Sequence, residues 1–321
     1  MSVYTRVEAE ELAAFLGRYD LGELEDFRGI SAGIENTNYY VTTSHQELVL
    51  TLFEQFEEEE LPWFLELLDF LAGRGVPAPA PLADREGALL QRFKDRPAAL
   101  VRRLHGASVD HPGVEHCRAI GAALGHLHTA GQDFPRERPN PRGPHWWRET
   151  SRRLEGKLSD EDRQLLDAEL HFQSLFRFQD MPSGIIHADL FRDNALFEGT
   201  ELTGIIDFYY ACSDVLLYDV AITVNDWCSD GEGALDPERV EALLTAYGEQ
   251  RPFSPIERGA WPVMLRAAAL RFWLSRLNDL HFPRAGELTH TKDPDTFKRI
   301  LQRRIREERA LRRLWPGAKR A

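Results

Sequence analysis

Near residue 105 the spacing of apolar residues changes, and that change limits the folds open to the chain. Before it, "EDFRGISAG", "NTNYYVTTS" and "ELVLTLFEQ" are short runs rich in β-branched and aromatic residues, divided by a glycine-bearing turn and by "SHQ". Such runs joined by short turns make an antiparallel meander. "LPWFLELLDFLAGRG" repeats its apolar residues at helical spacing and stops at Gly73 and Gly75. "VPAPAP" is an extended connector, and "GALLQRF" with "AALVRRLHG" reads as a further strand pair. Ahead of them all, "TRVEAEELAAFLGRYDLG" reads as a helix capped by Thr5, with Glu8 three residues on.

Beyond the change the period is helical. "VEHCRAIGAALGHLHTAG" is amphipathic, further helical patterns cover 146–156 and 160–179, and from Val215 the pattern stays helical almost to the end. Breaks fall near Gly231–Pro237, Arg251–Pro255 and Pro283–Pro294. The expected fold class is α+β: a small antiparallel-sheet lobe, residues 1–104, and a larger, mainly helical lobe, residues 105–321.

The 321 residues carry a formal net charge of −13. Nucleic acid and anionic membranes call for a basic face, so no nucleic acid and no membrane partner is expected. No stretch approaches a membrane span. The amino-terminal residues hold acids where a secretory signal needs basic residues and an apolar run, so a cytoplasmic protein is expected. Cys117, Cys212 and Cys228 are odd in number and lack CxxC spacing. Buried thiols in a reducing compartment fit them better than a disulfide framework or a zinc site.

One stretch sets chemistry inside this frame. "IIHADLFRDNALF", residues 185–197, and "GIIDFYYA", residues 204–211, place three acids, an arginine and an asparagine between apolar runs. Asp189 and Asn194 lie five residues apart on one loop and can face a common point, and Asp207 follows at the end of the next strand. An acceptor for a hydroxyl proton beside two hard oxygen donors for Mg²⁺ is the equipment of phosphoryl transfer. Asp189 or Asn194 alone reads better as a cap on local backbone; the ordered set does not.

"HADLFRDN…IIDF" resembles the catalytic and metal-binding loops of the aminoglycoside phosphotransferase superfamily, small-molecule kinases with a protein-kinase-like, two-lobe fold. "GIENTNYYVTT", "LVLTLFE", "GVPAPAP", "NPRGPHWW", "DVAITVNDWC" and "LRFWLSRL" carry the likeness over nearly the whole chain, and together they are similar to its homoserine kinase branch. The resemblance implies use of ATP and Mg²⁺ and phosphorylation of the side-chain hydroxyl of a small molecule, L-homoserine, on the way to threonine. It implies Asp189 as catalytic base, Asn194 and Asp207 as Mg²⁺ ligands, His187 as a brace of the loop, and Asp219 as a buried support that holds the loop's backbone. For Asp219 a simple salt bridge is the other reading.

On the nucleotide side, Ser31, Gly33, Asn36 and Asn38 occupy the place of a phosphate-covering turn, although Asn at hairpin turns is also ordinary. Strand three of a protein kinase presents a lysine to the phosphates, as in V-A-I-K, and here Thr51 stands in its place. Arg92, Arg102 and Arg103 are the candidates for a substitute cation. Adenine is expected against the backbone around Arg103, Leu104 and His105.

On the acceptor side, Arg192 suits a carboxylate and Asp226 an ammonium. Tyr209, Tyr210 and Trp227 are expected in the pocket. Arg271 lies on a polar stripe of "LRFWLSRLNDL" that either lines the cleft or faces solvent. His128 reads as a helix-end or core histidine. A kinase for another small alcohol or amine, such as an aminoglycoside or choline, and a nucleotide-binding regulatory protein without catalysis are the competing readings.

Overall fold

The structure is a computed structural model that describes residues 5–30, 36–176, 180–283 and 292–317. The chain divides into two compact units, Met1–Gly106 with Thr203–Ile206, and Ala107–Leu202 with Asp207–Ala321.

The first unit holds helix α1 (Ala9–Leu16), strands β1 (Leu24–Ile30), β2 (Asn36–Thr43) and β3 (Glu47–Phe53), helix α2 (Leu61–Ala72), and strands β4 (Gln91–Phe93) and β5 (Arg96–Arg102). The strands form one antiparallel sheet in the order β1-β2-β3-β5-β4. Alternation puts Leu48, Leu50 and Leu52 of β3 into one core with Leu12, Phe15 and Leu16 of α1. Burying each leucine is worth about 1.5–3 kcal/mol. The Lys94–Glu11 pair (2.7 Å) stands in solvent, which screens it, so packing decides how α1 sits.

The helix start differs from its expected place. The cap is Glu8, whose backbone N–H donates to Glu11 Oε2 at 3.1 Å. Thr5 instead donates its hydroxyl to Glu54 Oε1 at 2.7 Å, a partner 49 residues away. The capping pair is shifted because a carboxylate beyond the reach of local pattern takes the threonine.

The second unit contains α3 (Val114–Ala130), α4 (Pro144–Arg153), α5 (Asp160–Ser174), β6 (Ser183–Ile186), β7 (Ala195–Glu198), β9 (Cys212–Val215), α6 (Leu216–Trp227), α7 (Pro237–Gln250), α8 (Pro255–His281), α9 (Pro294–Arg306) and α10 (Glu308–Arg313). Strand β8 (Glu201–Ile205) pairs with β7, and β6 pairs antiparallel with β9. Helices α3 and α7 touch backbone to backbone. A Cβ on Gly121 would stand 2.3 Å from the Leu243 carbonyl oxygen, and one on Gly125 would stand 2.9 Å from that of Tyr247. Only glycine at both places allows the crossing. The next turn of α3 then carries His128 to the Tyr247 side chain. Cys117, Cys212 and Cys228 are buried free thiols. Among the described residues no helix is long and apolar enough to cross a membrane.

Candidate active site

The loop between β6 and β7 is held from beneath by one carboxylate. Asp219, in the first turn of α6, accepts from the His187 N–H (2.7 Å, Oδ2) and from the Ala188 N–H (2.8 Å, Oδ1). Ala188 takes a left-handed conformation, φ 63°. A β-carbon makes that region costly by roughly 1–2 kcal/mol, so a compensating tether is required. Asp207 is also left-handed, φ 63°. Two of the four left-handed non-glycine residues among those described therefore fall in this one motif. Backbone strain gathers where function fixes geometry.

Asp219 does not act alone. Arg251 donates to the Tyr247 hydroxyl oxygen (3.2 Å), that hydroxyl donates to His128 Nδ1 (2.8 Å), and His128 Nε2–H donates to Asp219 Oδ2 (3.0 Å). Every donor in this chain points toward the carboxylate, an arrangement in which each bond polarises the next. Burial alone would raise the Asp219 carboxyl. The His128 hydrogen bond, with the His187 amide, outweighs it and holds the group below its ordinary value. His128, expected as a helix-end or core histidine, is a core histidine with a function in the loop's support. Its partners are 91 and 119 residues distant, which is why spacing gave no sign of them.

Above this support, His187 is fully buried, and its Nδ1 accepts from the Asp189 N–H at 3.2 Å. Its ring lies 4.6 Å from that of Phe208, the neighbour of Asp207. The loop and the Asp207 turn are thereby packed together. Asn194 donates its amide Nδ2 to the Asp189 carbonyl (2.8 Å) and to Asp189 Oδ2 (3.2 Å). With the amide nitrogen committed inward, the Asn194 carbonyl oxygen is the atom left to meet a cation, and Asp207 presents an exposed carboxylate. Among the described residues no three His, Cys, Asp or Glu cluster for a metal. Mg²⁺ needs no such cage: one or two protein oxygens complemented by phosphate and water suffice, and an amide oxygen with a carboxylate fits that ion.

Three of the acceptor-side residues, Arg192, Asp226 and Trp227, are engaged with groups of the protein itself. Arg192 and Asp226 neutralise each other: Nε–Oδ2 is 3.1 Å, Nη2–Oδ1 is 3.3 Å, and the Arg192 N–H adds a third bond of 2.8 Å. Arg192 Nη1 also donates to the Asp110 carbonyl at 2.7 Å. A forked pair with these satisfied donors braces the loop, and neither member is free for a substrate ion. Trp227, expected in the pocket, is entirely buried and donates its indole N–H to the Leu190 carbonyl at 3.0 Å. Arg271 neither faces solvent nor stands open: it is 4% exposed, with Nη1 3.6 Å from Asp189 Oδ1 and its guanidinium 5.1 Å from the centre of the Tyr210 ring. Tyr209 and Tyr210 are half-buried in the short turn that follows Asp207.

In the first unit, the register sets Asn38 directly opposite Thr51, and the Thr51 hydroxyl donates to Asn38 Oδ1 at 2.7 Å. The lysine position is thus filled by a neutral, hydrogen-bonded pair. Asn36 opens β2 buried, its Oδ1 without a hydrogen bond to any described residue. Arg92 is paired with Glu58, and Arg103 with Glu47 at 3.3 Å while stacked 4.4 Å from the Tyr40 ring. Arg102 is exposed and makes no side-chain ion pair with a described residue. Leu104 is half-buried beside Gly204. Ser31 and Gly33 lie outside the described residues.

Known proteins share both the sequence and the architecture. Residues 26–253 match the sequence model of the phosphotransferase enzyme family. A homoserine kinase of Methylobacillus flagellatus is 50% identical over 318 residues, 99% of this chain and 100% of that protein. One from a Janthinobacterium species is 48% identical, covering 96% and 97%. Among solved structures, an amicoumacin kinase in complex with AMP-PNP and Ca²⁺ aligns over 97% of this chain and 96% of its own, with TM-score 0.69 at 15% identity. A microcompartment-associated aminopropanol kinase aligns over 94% and 98%, with TM-score 0.65 at 20% identity. These two share a protein-kinase-like fold, and identity near one half across full length goes further than fold. The chain belongs to the phosphotransferase enzyme family and, within it, to the homoserine kinases.

Proposed function

We propose that the chain transfers the γ-phosphoryl group of ATP to the side-chain hydroxyl of L-homoserine, giving O-phospho-L-homoserine and ADP. The observation that carries this reading is the end-to-end identity of one half with a homoserine kinase. The Asp189–Asn194 geometry supports it. Asp189 accepts the proton as the hydroxyl oxygen bonds to phosphorus and the bond to ADP breaks. Arg271, 3.6 Å away, and Asn194, 3.2 Å away, keep that carboxylate oriented. Asn194 and Asp207 hold Mg²⁺, which when bound neutralises charge developing on the phosphoryl oxygens. Asp219 and His187 hold the loop. Ser31, Gly33, Asn36, Asn38 and Thr51 serve the nucleotide phosphates, and Arg103 and Leu104 the base. The enzyme acts in the cytoplasm on a small molecule, without nucleic acid or membrane.

The test is a panel of acceptors with ATP and Mg²⁺, comprising L-homoserine, choline and an aminoglycoside, scored by ADP release and by ³¹P spectra of the product. L-Homoserine is expected to be turned over best. Turnover of another alcohol with none of homoserine sinks the assignment.

A further inference from the structure

We propose that Arg142 recognises the carboxylate of the acceptor and so makes the enzyme select an amino acid over a simple amino alcohol. The inference rests on the functional reading above, in which Asp189 receives the acceptor hydroxyl.

With Arg192 and Asp226 committed to each other, the acceptor's carboxylate needs another cation. Arg142 comes from "NPRGPHWW", a stretch that the phosphoryl-transfer machinery leaves unused. Its place is fixed by the backbone of the proline-rich loop rather than by its own side chain. Pro139 bridges Ser213 of β9, the Ser213 N–H donates to the Arg138 carbonyl (2.7 Å), and the Arg138 N–H donates to Ser213 Oγ (3.2 Å). Asn140 donates Nδ2 to Asp214 Oδ2 (2.6 Å) and accepts the Arg142 N–H on Oδ1 (2.7 Å). The loop is therefore strapped to the strand that follows Asp207 and Tyr210.

The strap delivers a guanidinium to the Tyr210 ring. Arg142 stands 5.8 Å from that ring's centre and 4.5 Å from the centre of the Trp146 ring. Arg271 stands on the same Tyr210 ring and contacts Asp189. Two cations thus share one aromatic ring. One is engaged with the base, while the side chain of the other makes no hydrogen bond or ion pair with any described residue. Arg142 is half-buried, and in a chain with 52 acidic residues against 39 basic ones it pairs with none of the described acids. Like charges gathered at one ring repel, and an arriving anion relieves them. The Tyr218 hydroxyl, in a residue 5% exposed on the helix that follows β9, also has no partner among the described residues. L-Homoserine separates its hydroxyl oxygen from its carboxylate carbon by about 5 Å at full extension, a span set by bond lengths alone. A carboxylate meets a guanidinium as a fork to a fork.

The experiment compares the wild type, Arg142→Gln and Arg142→Lys. It measures KM and kcat for L-homoserine and inhibition constants for two ligands. L-2-Aminobutyrate keeps the carboxylate and lacks the hydroxyl; 3-aminopropan-1-ol keeps hydroxyl and ammonium and lacks the carboxylate. Arg142→Gln is expected to raise the homoserine KM and the aminobutyrate inhibition constant together, by about 10- to 100-fold, the weight of a charge-assisted hydrogen bond. The constant for 3-aminopropan-1-ol moves far less, the KM for ATP holds, and Arg142→Lys recovers part of the loss. Equal weakening of both ligands, or no change in either, overturns the inference. A wild type inert toward homoserine overturns the functional reading itself and the inference with it. An active wild type whose Arg142→Gln and Arg142→Lys variants keep its ligand preference overturns the carboxylate assignment alone. Circular dichroism verifies the fold, and Arg142→Lys carries the test if the glutamine variant does not fold.

Discussion

The imidazole of His128 donates to the carboxylate of Asp219 across 3.0 Å, and both side chains are fully removed from solvent. Through that bond a helix beginning at Val114 reaches the loop on which Asp189 sits. Replacing His128 with leucine strips a buried charge of its donor and leaves the Tyr247 hydroxyl without its acceptor. The expected loss is about 3–5 kcal/mol of folding free energy, read as a fall in the urea midpoint. A variant within about 0.5 kcal/mol of wild type, the range of ordinary surface substitutions, defeats the argument that this chain supports the loop.

Asp219 also sets a pH dependence. Its carboxyl is held below the ordinary 3.8 despite burial, chiefly by the His128 bond, so the unfolded chain binds this proton at a higher pH than the native one. Native stability from this group is therefore complete above the unfolded value of about 3.9, and it disappears as pH falls through the lower folded value. The stability gap between wild type and Asp219→Asn is expected to narrow on acidification from pH 5 to pH 3. A gap that widens reverses the sign of the argument.

Asp189→Asn retains shape and removes the proton acceptor. The expected result is a fall in kcat of about 10²- to 10⁴-fold. The fold is retained, because asparagine keeps the shape of an 18% exposed side chain and leaves an oxygen to face Arg271 and Asn194. Activity near wild type removes Asp189 from the role of base.

Arg192 and Asp226 are expected to behave as one unit. In a double-mutant cycle of Arg192→Ala and Asp226→Ala, a coupling of about 0.5–3 kcal/mol in stability is expected. Each single variant should lower kcat more than it raises the homoserine KM, since the pair braces the loop rather than binding substrate. Additive single effects, or an isolated rise in KM, contradict that reading.

The proposed set, Asp189, Asn194 and Asp207, stands out in the sequence because it is local. Asp189 and Asn194 are five residues apart, and Asp207 follows on the next strand end, so spacing alone brings the three into view. The meander of β1 to β3 and the helical period beyond residue 105 were legible for the same reason. What spacing cannot carry is long-range partnership. Thr5 turned to Glu54 rather than capping α1, His128 found Asp219, and Arg192 found Asp226 34 residues away. Arg192 and Asp226 each read as a substrate contact only while the other was out of sight. Helical spacing likewise put Arg271 on a polar stripe, but the acid it meets belongs to a loop 82 residues earlier, and Arg271 is buried while the rest of the stripe is half-exposed.

Installing the absent lysine is expected to harm rather than help. Thr51 is 5% exposed and bonded to Asn38, so Thr51→Lys breaks that bond and sets an ammonium in a buried position. A loss of about 1–3 kcal/mol is expected, with no gain in kcat. A faster enzyme would mean that this strand had wanted a cation.

The three thiols have a use beyond packing. Burial pushes the Cys212 and Cys228 thiols well up, withholding the reactive thiolate, and Cys117 is equally closed to solvent. They lie on β9, at the end of α6 and on α3, all within one of the two units. Alkylation by a maleimide therefore waits for that unit to open and is silent on fraying of the sheet. The folded molecule carries its own clock for the unfolding of that unit, with no label engineered in.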